Sequence, residues 1–251
     1  MYKVCVSNAL VGQLDMHLKR QGSPERAEHE KRYLKSELGF YGVSVPAMRQ
    51  LARALHKDHP DLDHDQVWRL VQGLWRAPVH ERRAVAIMLL RAYSHVLTAA
   101  DLPKLEALLR ECKTWALVDD LAVHVLGELV TRFPRLKRSL DRLSRDPDFW
   151  LRRAAMLALM LPLRRGEGDF QRFGQYADAM LEEREFFIRK AIGWVLREAS
   201  KKRPDEVASW LGPRARRASS VTLREAMKYL PEDQVRIISQ AVQVAPLRSR
   251  K

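Results

Sequence analysis

Phe149-Trp150-Leu151-Arg152-Arg153-Ala154-Ala155 returns later in the chain as Phe186-Phe187-Ile188-Arg189-Lys190-Ala191-Ile192, and a fainter copy stands earlier as Glu81-Arg82-Arg83-Ala84-Val85. Self-similarity at such intervals is the mark of two-helix repeats, at or slightly below the usual HEAT length. One such repeat cannot bury its apolar face alone, so neighbours stack into a curved array with one concave surface. Outward from these copies the pattern stays helical. Leu117, Leu121, Val125 and Val130 form one apolar row, and Leu151, Ala155, Leu159 and Leu163 form another, with the spacing of an amphipathic helix. Ser23-Pro24-Glu25, Asp146-Pro147 and Ser220-Val221 read as helix starts. Pro46, Pro78, Pro134, Pro204 and Pro231 mark breaks between periodic segments. No alternating strand pattern interrupts them. The expected fold is all-α: an α-solenoid of HEAT-like helical repeats with a basic concave face, in one domain over residues 1–251.

Composition narrows the function. Lys and Arg total 45 against 31 Asp and Glu, a formal net charge of +14. Cations spread along a surface displace the counterions condensed on phosphate, so a polyanionic partner is expected. Hydrophobic residues are 46% and charged residues 30%, a globular composition rather than a disordered one. The longest apolar runs, such as Met156–Leu163, fall far short of a membrane span. Polar residues from Gln13 to Arg20 interrupt any signal-like core near the N-terminus. Cys5 and Cys112 form no metal or disulfide framework, which fits ordinary thiols in a reducing cytoplasm. No metal or other cofactor is expected.

The repeat copies align their basic pairs: Arg82-Arg83, Arg152-Arg153 and Arg189-Lys190. At the intervening place the chain carries Asp119-Asp120. These cations either contact phosphate or pair across adjacent repeats; the sequence leaves both open. Asp119 follows Trp115 by four positions, which stacks both side chains on one helix face. A carboxylate beside an indole suits a reaction that develops positive charge. Trp194 lies in the matching helix of a later repeat and offers a second wall; the plainer reading of both tryptophans is core filling. His124 is expected to point away from Asp119. The cluster His56, Asp58, His59, Asp61, Asp63, His64 and Asp65 lacks metal-ligand spacing and spans Pro60, so it reads as a solvated turn. Arg248, Arg250 and Lys251 read as a frayed basic tail.

Several stretches resemble one family, the AlkD-like DNA glycosylases of the DNA alkylation repair group. Tyr33-Leu34-Lys35 with Phe40-Tyr41-Gly42-Val43 and Pro46 is similar to its N-terminal segment. Lys113-Thr114-Trp115 followed by Val118-Asp119 is similar to its tryptophan–aspartate helix. Trp150 to Ala155 resembles its arginine helix, and Phe186 to Glu198 is the longest match. Arg224-Glu225-Ala226 with Lys228 resembles the final repeat. The order is kept over about residues 25–230.

The resemblance implies an active site of Trp115, Asp119, Arg153 and Trp194, with Tyr33 lining the groove. Ala116 and Leu117 depart from the family's pattern beside it. It also implies a monofunctional DNA glycosylase acting in base excision repair on cationic N3- or N7-alkylated purines, 3-methyladenine and 7-methylguanine. The partner would be double-stranded DNA containing alkylated bases, met by a monomer. Asp119, Trp115 and Trp194 would carry the chemistry. Arg153, Arg152, Arg189, Lys190 and Tyr33 would hold the DNA. Two other classes compete: a non-catalytic HEAT-repeat DNA-binding protein and a protein-binding scaffold.

Overall fold

A computed structural model describes the backbone of residues 2–243 and the side chains from residue 8 to residue 243. The tail residues Arg248, Arg250 and Lys251, and the Cys5 side chain, lie outside the described residues. The fold is all-α. The helices run in order α1 (Tyr2–Gln21), α2 (Pro24–Leu34), α3 (Val45–Asp58), α4 (His64–Trp75), α5 (His80–Ala92), α6 (Leu102–Glu111), α7 (Trp115–Asp120), α8 (Gly127–Arg132), α9 (Lys137–Leu143), α10 (Phe149–Leu157), α11 (Met160–Arg164), α12 (Phe170–Ala179), α13 (Phe186–Ser200), α14 (Pro204–Leu211), α15 (Ser220–Ala226) and α16 (Glu232–Gln243). Among the described residues the one β-type pairing is an isolated bridge between Gly39 and Val79. No described helix is long and apolar enough to cross a membrane.

The chain divides into two compact units, Met1–Leu136 and Lys137–Lys251. In unit one, α5 packs on α3 and α4, and α4 packs on α1. Its core is aliphatic, with Leu70, Leu74, Ile87, Leu89, Leu90, Leu105 and Leu109 sealed from solvent. In unit two, α13 is the central element and packs against α10, α11, α14 and α15. Its closest neighbour is α15. A Cβ added at Gly193 would stand 2.7 Å from the Glu225 Cβ and 2.9 Å from the Thr222 carbonyl oxygen, so glycine there lets the two helices approach.

Caps set most helix starts, and two differ from the sequence reading. Ser23 does cap α2, accepting from the Arg26 amide with Pro24 in the first turn. At α10 the cap is Asp148 rather than Asp146; its carboxylate accepts from the Trp150 amide at 2.9 Å. Asp146 acts one step earlier, accepting from the Asp148 amide. At α15 the cap is Ser219 rather than Ser220, accepting from the Thr222 amide at 3.1 Å. In both places neighbouring polar residues competed for the cap, and propensity alone does not choose between them.

The row Leu151, Ala155, Leu159 and Leu163 is buried throughout, yet it runs over two helices and the turn between them, which holds Leu159. The chain breaks between Leu157 and Met160. Pro162 accounts for this: it has no amide hydrogen, and its ring would clash with the carbonyl four residues back, that of Ala158. The other row also hides an irregularity. Residues Leu121–Leu126, between α7 and α8, form a π-helical segment. Its wider turn shows in the buried row as steps of four, four and then five from Leu117 to Val130.

The basic pairs of the repeat copies link successive helices. The first cation of each pair turns back to carbonyls a few residues earlier. Arg82 donates to Gly73 O and Leu74 O, Arg152 to Asp146 O and Pro147 O, and Arg189 to Glu183 O. The second reaches forward to the next repeat. Arg83 donates to Glu111 O, Arg153 to Phe187 O, and Lys190 to the Glu225 carboxylate. The carbonyls of Gly73, Leu74 and Glu111 lie in the last turns of α4 and α6 and lack intrahelical partners, and a guanidinium satisfies them without titrating. All three pairs therefore hold groups within their own unit.

Candidate active site

The α6–α7 corner presents Trp115 and Asp119. Helix α6 ends at Glu111, which is held twice: Arg83 donates to its carbonyl, and the Trp75 indole NH donates to its carboxylate at 2.8 Å. Arg83 itself lies over the Trp75 ring, 5.0 Å from the centroid. The chain then turns through Lys113, whose φ of +51° is in the left-handed region. A non-glycine residue pays in backbone strain there and keeps that conformation only when its surroundings enforce it. Thr114 follows in extended conformation as the cap position of α7. Its side chain is 2% exposed, and its hydroxyl has no hydrogen-bond partner among the described residues.

Trp115 opens α7 and Asp119 stands one turn on; both are half-buried. They share a helix face, as the spacing requires. Asp119 sits in the last α-helical turn before the π segment, a backbone irregularity often found at functional sites. Asp120 points to different neighbours. Its carboxylate lies 3.9 Å from His124 Nε2. Burial, Arg91 and Arg49 lower the His124 pKa despite Asp120, so at neutral pH the imidazole is uncharged. His124 thus faces the second aspartate of the pair, not Asp119.

Tyr33 meets this corner from α2. Its ring is 66% exposed and makes an edge contact with Trp115, at 5.9 Å between centroids and 80° between planes. Just past it, Lys35 takes a left-handed φ of 47° and closes α2. The following segment is tied to the start of α5. Gly39 donates to Pro78 O and its own carbonyl accepts from the His80 amide, while Phe40 stacks on the His80 imidazole at 5.0 Å. The fully buried Glu81 carboxylate accepts from the amides of Tyr41, Gly42 and Val43. Gly42 makes this possible: its φ is +80°, and a Cβ would fall 2.1 Å from the Ser23 carbonyl oxygen.

Unit two carries the remaining expected residues. Arg153 is 2% exposed and lies over the Phe187 ring, 5.9 Å from the centroid. Arg152 also pairs with Glu183 at 2.8 Å. Lys190, Arg197 and Lys228 converge on Glu225. Burial by itself raises the Glu225 pKa, but the three cations outweigh it and hold the carboxyl at about 2. Trp194 is half-buried on α13, next to Gly193. Tyr33, Trp115 and Asp119 belong to unit one; Arg152, Arg153, Arg189, Lys190 and Trp194 belong to unit two.

The histidine–aspartate cluster is a capping turn. Asp63 caps α4 in a box with Gln66, His64 Nε2 lies 2.9 Å from the buried Asp101 carboxylate, and His56 contacts the Tyr93 ring edge-on. No described group of three or more His, Cys, Asp or Glu is placed to hold a metal ion. Cys112 is fully buried and burial raises its thiol pKa well above the ordinary value, so it is no nucleophile. Sequence reasoning named Arg83 only as one of the aligned basic pairs and gave no role to Glu81 or Thr114. Arg83 and Glu81 were visible only as members of the faint third repeat copy, and nothing in the sequence marks Lys113 as left-handed.

A family model described as "DNA alkylation repair enzyme" matches residues 14–230. A predicted DNA alkylation repair enzyme from Enterococcus faecalis has a similar structure, with a TM-score of 0.76 and 25% identity over 84% of this chain and 98% of that one. AlkD2 from Streptococcus mutans superposes with a TM-score of 0.58 at 20% identity, covering 82% of this chain and 97% of its own. The smu.31 protein from Streptococcus mutans UA159 gives 0.58 at 19% identity, covering 85% of this chain and 100% of its own. These last two likenesses speak for the fold. No curated protein matches the chain.

Proposed function

The chain belongs to the DNA alkylation repair enzyme family, and from that premise we propose that it is a monofunctional glycosylase releasing cationic N3- or N7-alkylated purines from duplex DNA. The observation that carries the proposal is Asp119: a half-buried carboxylate one turn from Trp115, on the last α turn before a π segment. The overall charge of +14 supports a polyanionic substrate.

The chemistry follows from the lesion. Alkylation at N3 or N7 leaves the purine positively charged. Breaking the C1′–N bond returns its electron pair to the base, which departs neutral. Charge then develops on the sugar, and an oxocarbenium-like centre forms. A carboxylate stabilises that centre and orients the water that attacks C1′; the water's proton is released to the carboxylate or to solvent. On unit one, Trp115, flanked by Tyr33, contacts the sugar and backbone beside the lesion; on unit two, Trp194 contacts DNA and Arg153 holds phosphate. A neutral purine would need an acid to protonate it, and this scheme contains none. The protein is taken to act as a monomer in the cytoplasm.

The test is single-turnover base release from duplex DNA. Wild-type protein should release 7-methylguanine far faster than hypoxanthine. Asp119→Asn, nearly isosteric but uncharged, should slow release by about a hundredfold, in line with the ~2.7–4 kcal/mol of one preorganised electrostatic group. A mutant of wild-type rate would remove Asp119 from the chemistry. DNA binding without release by the wild type would leave a non-catalytic binding protein.

A further inference from the structure

Helix α3 carries three exposed cations at every fourth residue: Arg49, Arg53 and Lys57. The interval places them in one row, about 6 Å apart and about 12 Å from end to end. Met48, Ala52 and Leu55 fix the opposite side of the helix in the core of unit one, so the row faces outward. It separates two open hollows. One, of about 540 Å³, is lined by Arg49, Gln50, Arg53 and Lys57 among others. The other, of about 490 Å³, adds Arg91 from the last turn of α5 and ends at Asp120.

The four cations differ from those of the repeat pairs. Among the described residues, no carboxylate lies at ion-pair distance from Arg49, Arg53, Lys57 or Arg91. Like charges one turn apart on a helix repel one another, so an anion beside the row relieves that repulsion. Guanidinium groups take phosphate oxygens in a fork geometry. The row is also too long and open for a single small anion. At ~3.4 Å of axial rise per phosphate, about 12 Å spans three to four consecutive phosphates of one strand.

Resting on the DNA reading above, we propose that Arg49, Arg53, Lys57 and Arg91 form a phosphate track that grips one strand of duplex DNA on unit one. The repeat pairs, whose cations hold carbonyls and carboxylates within the array, contribute less to the salt dependence of binding. Asp120 repels phosphate and bounds the track where the second hollow meets α7, the helix that carries Asp119.

Binding of an undamaged duplex, followed by fluorescence anisotropy over a series of salt concentrations, tests this. Each neutralised phosphate contributes about 0.9 to the slope of log affinity against log salt. The R49Q/R53Q/K57Q variant should therefore lose about 2.7 from the wild-type slope, and Arg49→Gln or Lys57→Gln alone about 0.9 each. R49K/R53K, which keeps the charges, should keep the slope. All these side chains are exposed, so thermal unfolding should not fall; the single variants carry the test should the triple one fail to fold. A wild-type slope in the single and triple variants overturns the track. Release of 7-methylguanine by the wild type is measured alongside: release with unchanged slopes sinks the track alone, whereas reduced slopes without release uphold the track and sink the glycosylase reading. Wild-type protein without salt-dependent duplex binding overturns both.

Discussion

The edge of the Tyr33 ring rests against the Trp115 indole, joining the end of α2 to the start of α7. The two residues are far apart in sequence. Three separate devices bring them together: the left-handed closure of α2 at Lys35, the Glu81 carboxylate gathering the amides of residues 41–43, and the Arg83 clamp on Glu111.

An edge-to-face aromatic pair contributes about 0.5–1.5 kcal/mol beyond its buried area. Tyr33→Ala should therefore leave the fold intact and change the near-ultraviolet circular dichroism of Trp115. It should also slow base release several-fold. Tyr33→Phe keeps the ring and should behave as wild type; a tenfold loss in Tyr33→Phe would mean that the hydroxyl matters instead.

Arg83 is buried, and its loss leaves the Glu111 carbonyl without that donor. Arg83→Met should cost about 1–3 kcal/mol, the penalty of a buried polar group left unsatisfied, read from urea unfolding. Because the clamp also fixes the Lys113 turn ahead of Trp115, base release at saturating DNA should fall further than duplex affinity does. Equal losses in both would make Arg83 a general stability residue.

His80 is buried against Phe40, and burial lowers its pKa to about 4. Its ordinary value is about 6.5. The unfolded chain therefore takes up a proton in that interval that the folded one refuses. Stability is full above about 6.5 and declines as pH falls toward 4, by about 3 kcal/mol from this group. His80→Phe should flatten urea midpoints over that window. A pH dependence unchanged by the substitution would show that His80 titrates normally.

Glu225 works lower on the scale and in unit two. Its folded pKa of about 2 lies below the 4.5 of an ordinary glutamate. The stability it contributes is complete above about 4.5 and is lost as pH falls through 2, roughly 3 kcal/mol in all. Glu225→Gln should destabilise the protein at neutral pH and remove that acid-sensitive step. It leaves Lys190, Arg197 and Lys228 facing one another, so added salt should recover part of the loss; absence of any salt effect would argue against the cluster.

The sequence by itself determined the helical class, the repeat and the pairing of Trp115 with Asp119 on one face. Those follow from periodicity, which is a local property: residues four apart on a helix must be neighbours wherever the helix goes. It also located the cation pairs at equivalent points of the repeat. Only the tertiary structure decided what those pairs hold, because a carbonyl acceptor 28 to 34 residues away leaves no trace in the residue types. The same holds for the left-handed Lys113 and the π segment after Asp120. Each is a backbone choice made by packing against other helices. The cations without carboxylate partners were equally hidden. Arg49, Arg53 and Lys57 look no different in sequence from Arg82 or Arg152, and what separates them is which carbonyls and carboxylates the fold brings within reach of the cation.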